Sequence, residues 1–372
     1  MSPPPFPLYD WVKAYCDFGW HRTGTMVEEN TLVWLGDLIT QLGGQVEHHS
    51  YEFPYYEATV ETAIEASGIH LEALYYSHIG EGTASSYLVE RLGFDEQHGE
   101  AAIAQAISKF TKKAKQLDAD ALVLATGNDH SSLVAVNQAP TDPGEFPIFL
   151  AAGRDFQMLR NEQPQITFSA SVKDKGSRNL IACFGDFSTG KPPLMITTPV
   201  SGWFSCAGER GTGLAIALSV ASRVGENHPA MLLCPTGHEL GYFGAERFAE
   251  NFDLPLKAIL HIGSCVAIKE DPSALLTARS NATSGIFQNV AEITDKAGVQ
   301  LERPAEPLNR YFWYGEAECW ASSGIPMVSI AGASHTFHTI DDLPEQATDQ
   351  SILLQKEAMF LSIARELLEN NL

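Results

Sequence analysis

The sequence predicts an α/β fold: a mixed, mainly parallel sheet sandwiched by helices, with a small α/β domain inserted into it. Two observations predict it. From residue 179 onward, short apolar runs alternate with segments of helical period, the pattern of parallel strands covered on both faces. Residues 63–171 interrupt that pattern with a texture of their own, so the main domain is expected over 1–62 and 172–372 and the inserted domain over 63–171.

The elements follow in order. Residues 9–45 hold a start segment and a helix. Glu28 and Glu29 fall in the helix's first turn, Leu32, Leu35, Ile39 and Leu42 recur at helical spacing, and Gly43 and Gly44 end it. Residues 46–60 alternate and carry aromatic side chains, as an extended strand would. Within the insert, 101–117 is an amphipathic helix with Lys112, Lys113 and Lys115 on its polar side. Residues 121–125 and 146–151 are strands, separated by a Gly/Asn/Asp/Pro-rich loop over 127–145. The later strands are 180–183, 194–198, 230–234, 258–262 and 327–330; the later helices are 212–223, 242–251, 284–297 and 346–368.

Composition narrows the function. A hydrophobic share of 44% over 372 residues is enough for a large core. A formal charge of −22 repels phosphate backbones and anionic lipid surfaces, so neither nucleic acid nor membrane is an expected partner. No run of about 18 apolar residues exists to span a bilayer, and the opening residues show neither a basic nor an apolar leader segment. The six cysteines are scattered, with no C-x-x-C pair, which argues against a zinc knuckle or a disulfide framework. A reduced, cytoplasmic protein is expected, with a homo-oligomer left open.

Four strands end in polar, turn-rich loops: 198–213, 235–244, 261–265 and 333–342. An open α/β sheet brings the loops at the carboxyl ends of its strands to one rim. On these loops lie Glu209, Arg210, His238, Glu239, His261, His335, His338, Asp341 and Asp342. Imidazole nitrogen and carboxylate oxygen are zinc's common non-thiol ligands, so the rim is a metal-site candidate. His238-Glu239 does not open an H-E-x-x-H zinc helix, because residue 242 is Tyr. Neither a G-x-S-x-G elbow nor a phosphate-binding G-x-x-x-x-G-K-[ST] loop is present.

These loops, in this order, resemble the co-catalytic zinc aminopeptidases and their relatives, the glutaminyl cyclases and glutamate carboxypeptidases. The likeness rests on His21-Arg-Thr-Gly-Thr25, Asn179-Leu-Ile-Ala182, Thr236-Gly-His-Glu-Leu-Gly-Tyr-Phe-Gly-Ala245, Gly324-Ile-Pro326 and Phe337-His-Thr-Ile-Asp341. Residues 118–159 look like the protease-associated domain often inserted into that fold.

The resemblance implies a site with departures. Glu209 stands where the family has its bridging aspartate, four residues before Gly213. Glu239 matches the second glutamate of the glutamate pair, and His338 matches the C-terminal histidine. Together these three imply one zinc. His238 replaces the general-base glutamate, and a neutral imidazole suits that task. Arg210 adds a fixed cation beside Glu209, able to stand in for part of a metal's field or to bind a substrate carboxylate. The family's early His-x-Asp falls near Pro199-Val-Ser201, and its later aspartate near His261 or Gly263, which implies loss of the second metal.

The reading that follows is a single-zinc, aminopeptidase-like hydrolase acting on an amide or peptide bond of a specialised small-molecule or peptide substrate. Two alternatives stand beside it. One is a metal-free hydrolase on the same scaffold, with Ser201, Cys206 or Ser264 as nucleophile. The other is a non-catalytic homologue that uses the cleft for binding.

Overall fold

A computed structural model of the chain describes residues 5–62, 69–93, 100–269, 275–306 and 309–369. In chain order the elements are α1 (Leu8–Cys16), α2 (Met26–Gln41), β1 (Gln45–Thr62), β2 (Leu71–Ala73), β3 (Gly80–Ala84), β4 (Tyr87–Leu92), α3 (Glu100–Gln116), β5 (Ala121–Thr126), β6 (Ile148–Ala152), α4 (Phe156–Glu162) and β7 (Ile166–Phe184). Then follow β8 (Leu194–Thr197), α5 (Thr212–Gly225), β9 (Ala230–Cys234), α6 (Phe243–Ala249), β10 (Ala258–Ile262), β11 (Leu275–Ser280), α7 (Ser284–Asp295), β12 (Leu301–Glu302), β13 (Met327–Ala333), α8 (Pro344–Ala347) and α9 (Gln350–Glu369).

The chain divides into two compact units: Met1–Tyr51, Ser177–Phe337 and Asp342–Leu372 form the first, and Glu52–Gly176 with His338–Asp341 form the second. The insert expected from residue 63 therefore starts, in the sequence reading, at a position outside the described residues.

The first unit is built on a sheet of order β1-β7-β9-β8-β10-β13-β11-β12. The four central strands are parallel: β8 pairs β9 and β10, and β10 pairs β13. β7 runs antiparallel to β9 and β11 antiparallel to β13, so the sheet is mixed and mainly parallel, as the sequence predicts. Every residue of β8, β9 and β10 is buried, because both faces are covered. Leu194, Ile196, Leu232, Leu260, Val328 and Ile330 join a core with residues of α1, α2, α5, α7 and α9. Their alternates Met195, Met231, Leu233, Ile259 and Met327 pack with Phe248 of α6 and with Trp313 and Trp320. Period-2 alternation thus feeds two cores, and the strands read as continuous apolar runs.

Some elements depart from the sequence expectation. α5 carries no solvent face: every residue from Thr212 to Ala221 is buried. The sheet covers one side of it and α1 and α9 the other. The closing helix starts later than expected, at Gln350, because Asp349 caps it by accepting from Ser351 N at 2.9 Å and Ile352 N at 3.0 Å.

In the second unit the sheet order is β2-β6-β5-β4, with β4, β5 and β6 parallel and β2 antiparallel to β6. β5 is buried along its whole length. β3 pairs with the first half of β7. The short segment of this unit that includes His338 is held by Ala135: Ala135 N donates to the His338 carbonyl at 2.9 Å, and His338 Nδ1 lies 3.1 Å from the Ala135 carbonyl. Among the described residues no helix is long and apolar enough to cross a membrane.

β8 leads through α5 to β9 on one side of it, and β9 leads through α6 to β10 on the other. The chain direction across the sheet therefore reverses at β8, and the crevice this creates opens at the carboxyl ends of β8 and β10.

Candidate functional site

Glu209 and Arg210 come from a π-helical turn, Ala207–Gly211, between β8 and α5. Such turns widen a helix locally and recur at functional sites. Two features hold this one. Asp342 accepts from Gly208 N at 2.8 Å and from Glu209 N at 2.9 Å. Gly213 lets α5 pass under the loop after β10, since a Cβ there would lie 2.8 Å from the Gly263 carbonyl oxygen. Glu209 and Arg210 form an ion pair at 2.7 Å, each side chain 1% exposed. Arg210 also donates through Nε to the Ser201 carbonyl at 3.0 Å.

His238 and Glu239 lie on a short 3-10 turn between Gly237 and Gly241, both with positive φ. Asn179 of β7 ties the loop down: it donates to the Gly244 carbonyl at 2.7 Å and accepts from Thr236 N at 3.0 Å. Glu239 takes the backbone N–H of Thr23 on one oxygen and the Ser201 hydroxyl, at 3.0 Å, on the other. His238 Nδ1 lies 2.6 Å from Glu316 Oε1, and a donor atom of its ring lies within 4.8 Å of a Glu209 carboxylate oxygen. In the sequence reading Glu239 is the ligand and His238 the base; the structure gives Glu239 two donors and brings the His238 ring beside Glu209.

His261, at the end of β10, is fully buried, with Nδ1 2.8 Å from Ser329 Oγ and Nε2 3.8 Å from Glu316 Oε2. The loops are strained as well as polar. Phe204, Cys206, Tyr242 and Cys265 all have φ between 50 and 65°, a region that side chains with a Cβ rarely occupy.

The electrostatics are unbalanced. Glu209, Glu239, Glu316 and Asp342 are all buried, and Arg210 is the one buried lysine or arginine among the described residues. Burial pushes the Asp342 carboxyl up to about 7, against the pull of its two backbone donors. Burial alone would raise Glu316 too, but the neighbouring His238 and His261 rings and Arg210 hold it well below the usual carboxylate range, so it is ionised. Burial works against the Arg210 charge; Glu209 and Glu316 more than offset it and keep the guanidinium protonated. Four buried carboxyl groups against one buried guanidinium leave the site short of positive charge. A divalent cation would supply what is missing.

That deficit and the donor types, carboxylate and imidazole, fit zinc. The His238 contact with Glu316 fits as well: an imidazole that donates one ring N–H to a carboxylate is oriented for metal binding through the other nitrogen. His338 lies on the His338–Asp341 segment of the second unit, buried and at φ 60°.

The candidate nucleophiles are engaged otherwise. Ser201 donates to Glu239 and accepts from His238 N at 3.1 Å. Ser264 donates to the Gly332 carbonyl at 2.6 Å. The Cys206 thiol is fully buried, and burial raises its pKa well above the usual value, which keeps it out of the reactive thiolate form. Glu316 is the residue that sequence reading misses. It stands in an aromatic stretch, Phe312 to Trp320, with nothing local to distinguish it from Glu318.

No protein-family model and no curated protein sequence matches the chain. Solved structures do. A zinc aminopeptidase from Bacillus subtilis is 15% identical with a TM-score of 0.74, covering 96% of this chain and 93% of its own. A peptidase M28 precursor from Shewanella amazonensis is 14% identical with a TM-score of 0.74, covering 98% and 93%. Glutaminyl cyclase from Porphyromonas gingivalis is 13% identical with a TM-score of 0.52, covering 97% and 96%. At such identities the likeness speaks for architecture alone: this chain has the fold seen in these zinc aminopeptidase, M28 peptidase and glutaminyl cyclase structures.

Proposed function

We propose that the protein is a hydrolase of an amide or peptide bond that works with a single zinc ion, with Glu209 and His238 as ligands in the first unit. The observation that carries this is the His238 ring, oriented by a buried glutamate and set within 4.8 Å of a Glu209 oxygen in a site short of positive charge. His338 enters as a third ligand on the sequence resemblance alone, and the second unit as a protease-associated-like domain on the same ground.

When bound, zinc would polarise a substrate carbonyl and acidify a water molecule. The chain's own residues prepare the site. Arg210 pairs with Glu209 in a region closed to solvent. Asp342 fixes the backbone of the turn that carries Glu209. Glu239, with Ser201 and Thr23, fixes the loop that carries His238. Arg210 is used by Glu209 and by backbone carbonyls, which supports a positioning role for it over direct contact with substrate.

The test is metal content by mass spectrometry on protein purified without chelator, beside Glu209→Ala and His238→Ala variants checked for folding by circular dichroism. About one zinc per chain is expected in the wild type, and a loss in both variants. A wild type that stays metal-free after zinc is offered would end this reading. An amide and dipeptide substrate screen on the zinc-loaded protein then tests the reaction class.

A further inference from the structure

Residues 17–25 connect α1 to α2 and hydrogen-bond to both loops that carry the candidate site. On the loop between β8 and α5, His21 N–H donates to the Phe204 carbonyl at 3.1 Å, and Gly202 N–H donates to the His21 carbonyl at 3.0 Å. The hydroxyl of Tyr15, on α1, donates to the Val200 carbonyl of the same loop at 2.8 Å. On the loop between β9 and α6, Thr23 N–H donates to Glu239, and Gly237 N–H donates to Thr23 Oγ1 at 2.8 Å. Tyr15, His21 and Thr23 are 0%, 1% and 2% exposed, so bulk water does not compete for these bonds.

Both loops need support from outside themselves. Phe204 and Cys206 sit at φ 59° and 50°, and such left-handed residues persist only where surrounding groups hold them. His21 holds the first of them through its carbonyl. Gly237, at φ 78°, opens the turn that carries His238, and the acceptor for its buried N–H is Thr23 Oγ1. Removing that oxygen would leave a buried backbone donor without its acceptor. The two loops are also bonded to each other, since Ser201 donates to Glu239 and accepts from His238 N. A shift at one end of this set of bonds is therefore felt at the other.

We infer that residues 15–23 form a brace that sets the two site loops in register, with Thr23 as the positioning residue for the turn that carries His238 and Glu239. The brace contributes no candidate metal ligand. Its hold on the loops is independent of zinc, and its effect on metal affinity rests on the proposed single-zinc site.

The test pairs Thr23→Val, which keeps the shape and removes the acceptor, with Thr23→Ser, which keeps a hydroxyl. Amide exchange is read residue by residue on chelator-treated protein, and zinc affinity on the same samples. Thr23→Val should speed exchange at Gly237 and, through the brace, at Gly202, and Thr23→Ser should stay near wild type at both. Zinc should bind about 10–100-fold more weakly to Thr23→Val and nearly normally to Thr23→Ser. Leu32→Val, a core change in α2, controls for lost stability and should leave zinc affinity unchanged. Wild-type exchange at Gly237 in Thr23→Val would overturn the inference, as would an effect that spares Gly202. So would equal losses of zinc affinity in Thr23→Val and Leu32→Val, or faster exchange with unchanged zinc affinity. If Thr23→Val does not fold, Tyr15→Phe decides: faster exchange at Gly202 supports the brace, and wild-type exchange there rejects it. A wild type that takes up no zinc ends the single-zinc reading, and the exchange data then decide the brace alone.

Discussion

Replacing Arg210 with methionine removes the one buried cation from a cluster of buried carboxylates while keeping a side chain of similar reach. Three contacts go with it: the 2.7 Å pair with Glu209 and the donations to the Ser201 and Glu209 carbonyls at 3.0 and 3.3 Å. Removing one member of a buried ion pair costs about 3–5 kcal/mol, because the other charge is left unpaired. The stranded group here is Glu209, 1% exposed and unable to reach bulk water without opening the turn. For a unit of this size each kcal/mol lowers the melting temperature by about 2–4 °C, so Arg210→Met should melt about 6–20 °C below the wild type. The assay is thermal unfolding by circular dichroism with urea titration, repeated with chelator so that metal binding does not mask the effect. Adding Glu209→Gln to Arg210→Met removes the stranded charge and should recover much of the loss. A deficit below about 1 kcal/mol, the size of an exposed pair, would refute the reasoning. So would a double variant that is simply the sum of the single ones.

Two further outcomes follow from particular residues. Glu28 is buried at the start of α2, accepting from Gly24 N at 2.8 Å and Ser177 Oγ at 2.9 Å, and burial raises its carboxyl to about 8. A folded state that holds this proton more tightly than the unfolded chain is most stable below the unfolded pKa. It loses that stability as pH rises toward 8, at up to about 1.4 kcal/mol per pH unit. From pH 5 to 8 the stability of the wild type should therefore fall relative to that of Glu28→Gln, and parallel slopes in the two proteins would count against the assignment. Gly213→Ala would press a methyl to 2.8 Å from the Gly263 carbonyl oxygen, a backbone atom that cannot turn aside. Overpacking of this kind should destabilise by about 1–3 kcal/mol in urea titration, and a neutral result would mean that α5 shifts freely beneath the loop.

The legible elements were those whose burial pattern is local. β9 and β10 were read at their observed bounds because each is a short run buried on both faces, framed by turn residues. β7 was read only at its end. Its first half, from Ile166, alternates exposed and buried residues and carries Lys173, Asp174 and Lys175, so it resembles a polar loop until a partner strand is known. β11 and β12 escape the sequence reading for a related reason: β12 is a two-residue edge strand, and four of the six residues of the neighbouring β11 are not fully buried. For the site, chain order and turn glycines pointed to the right loops. They did not show which way neighbouring side chains turn. His238 and Glu239 are adjacent, and only the 3-10 turn between Gly237 and Gly241 sends one ring toward Glu316 and the other carboxylate toward Thr23 and Ser201.

By itself the sequence determined the layer architecture, the mainly parallel sheet and the loops at the carboxyl ends of its strands. Each of these follows from periodicity and turn chemistry within a few residues. The tertiary structure alone decided the partners of the charges. Arg210 answers Glu209, Asp342 holds the backbone of residues 208 and 209 from more than a hundred positions away, and Glu316 stands between His238 and His261. The physical reason is that a buried charge is stabilised by whatever lies within a few ångströms in space, and strand order, not sequence distance, sets that neighbourhood.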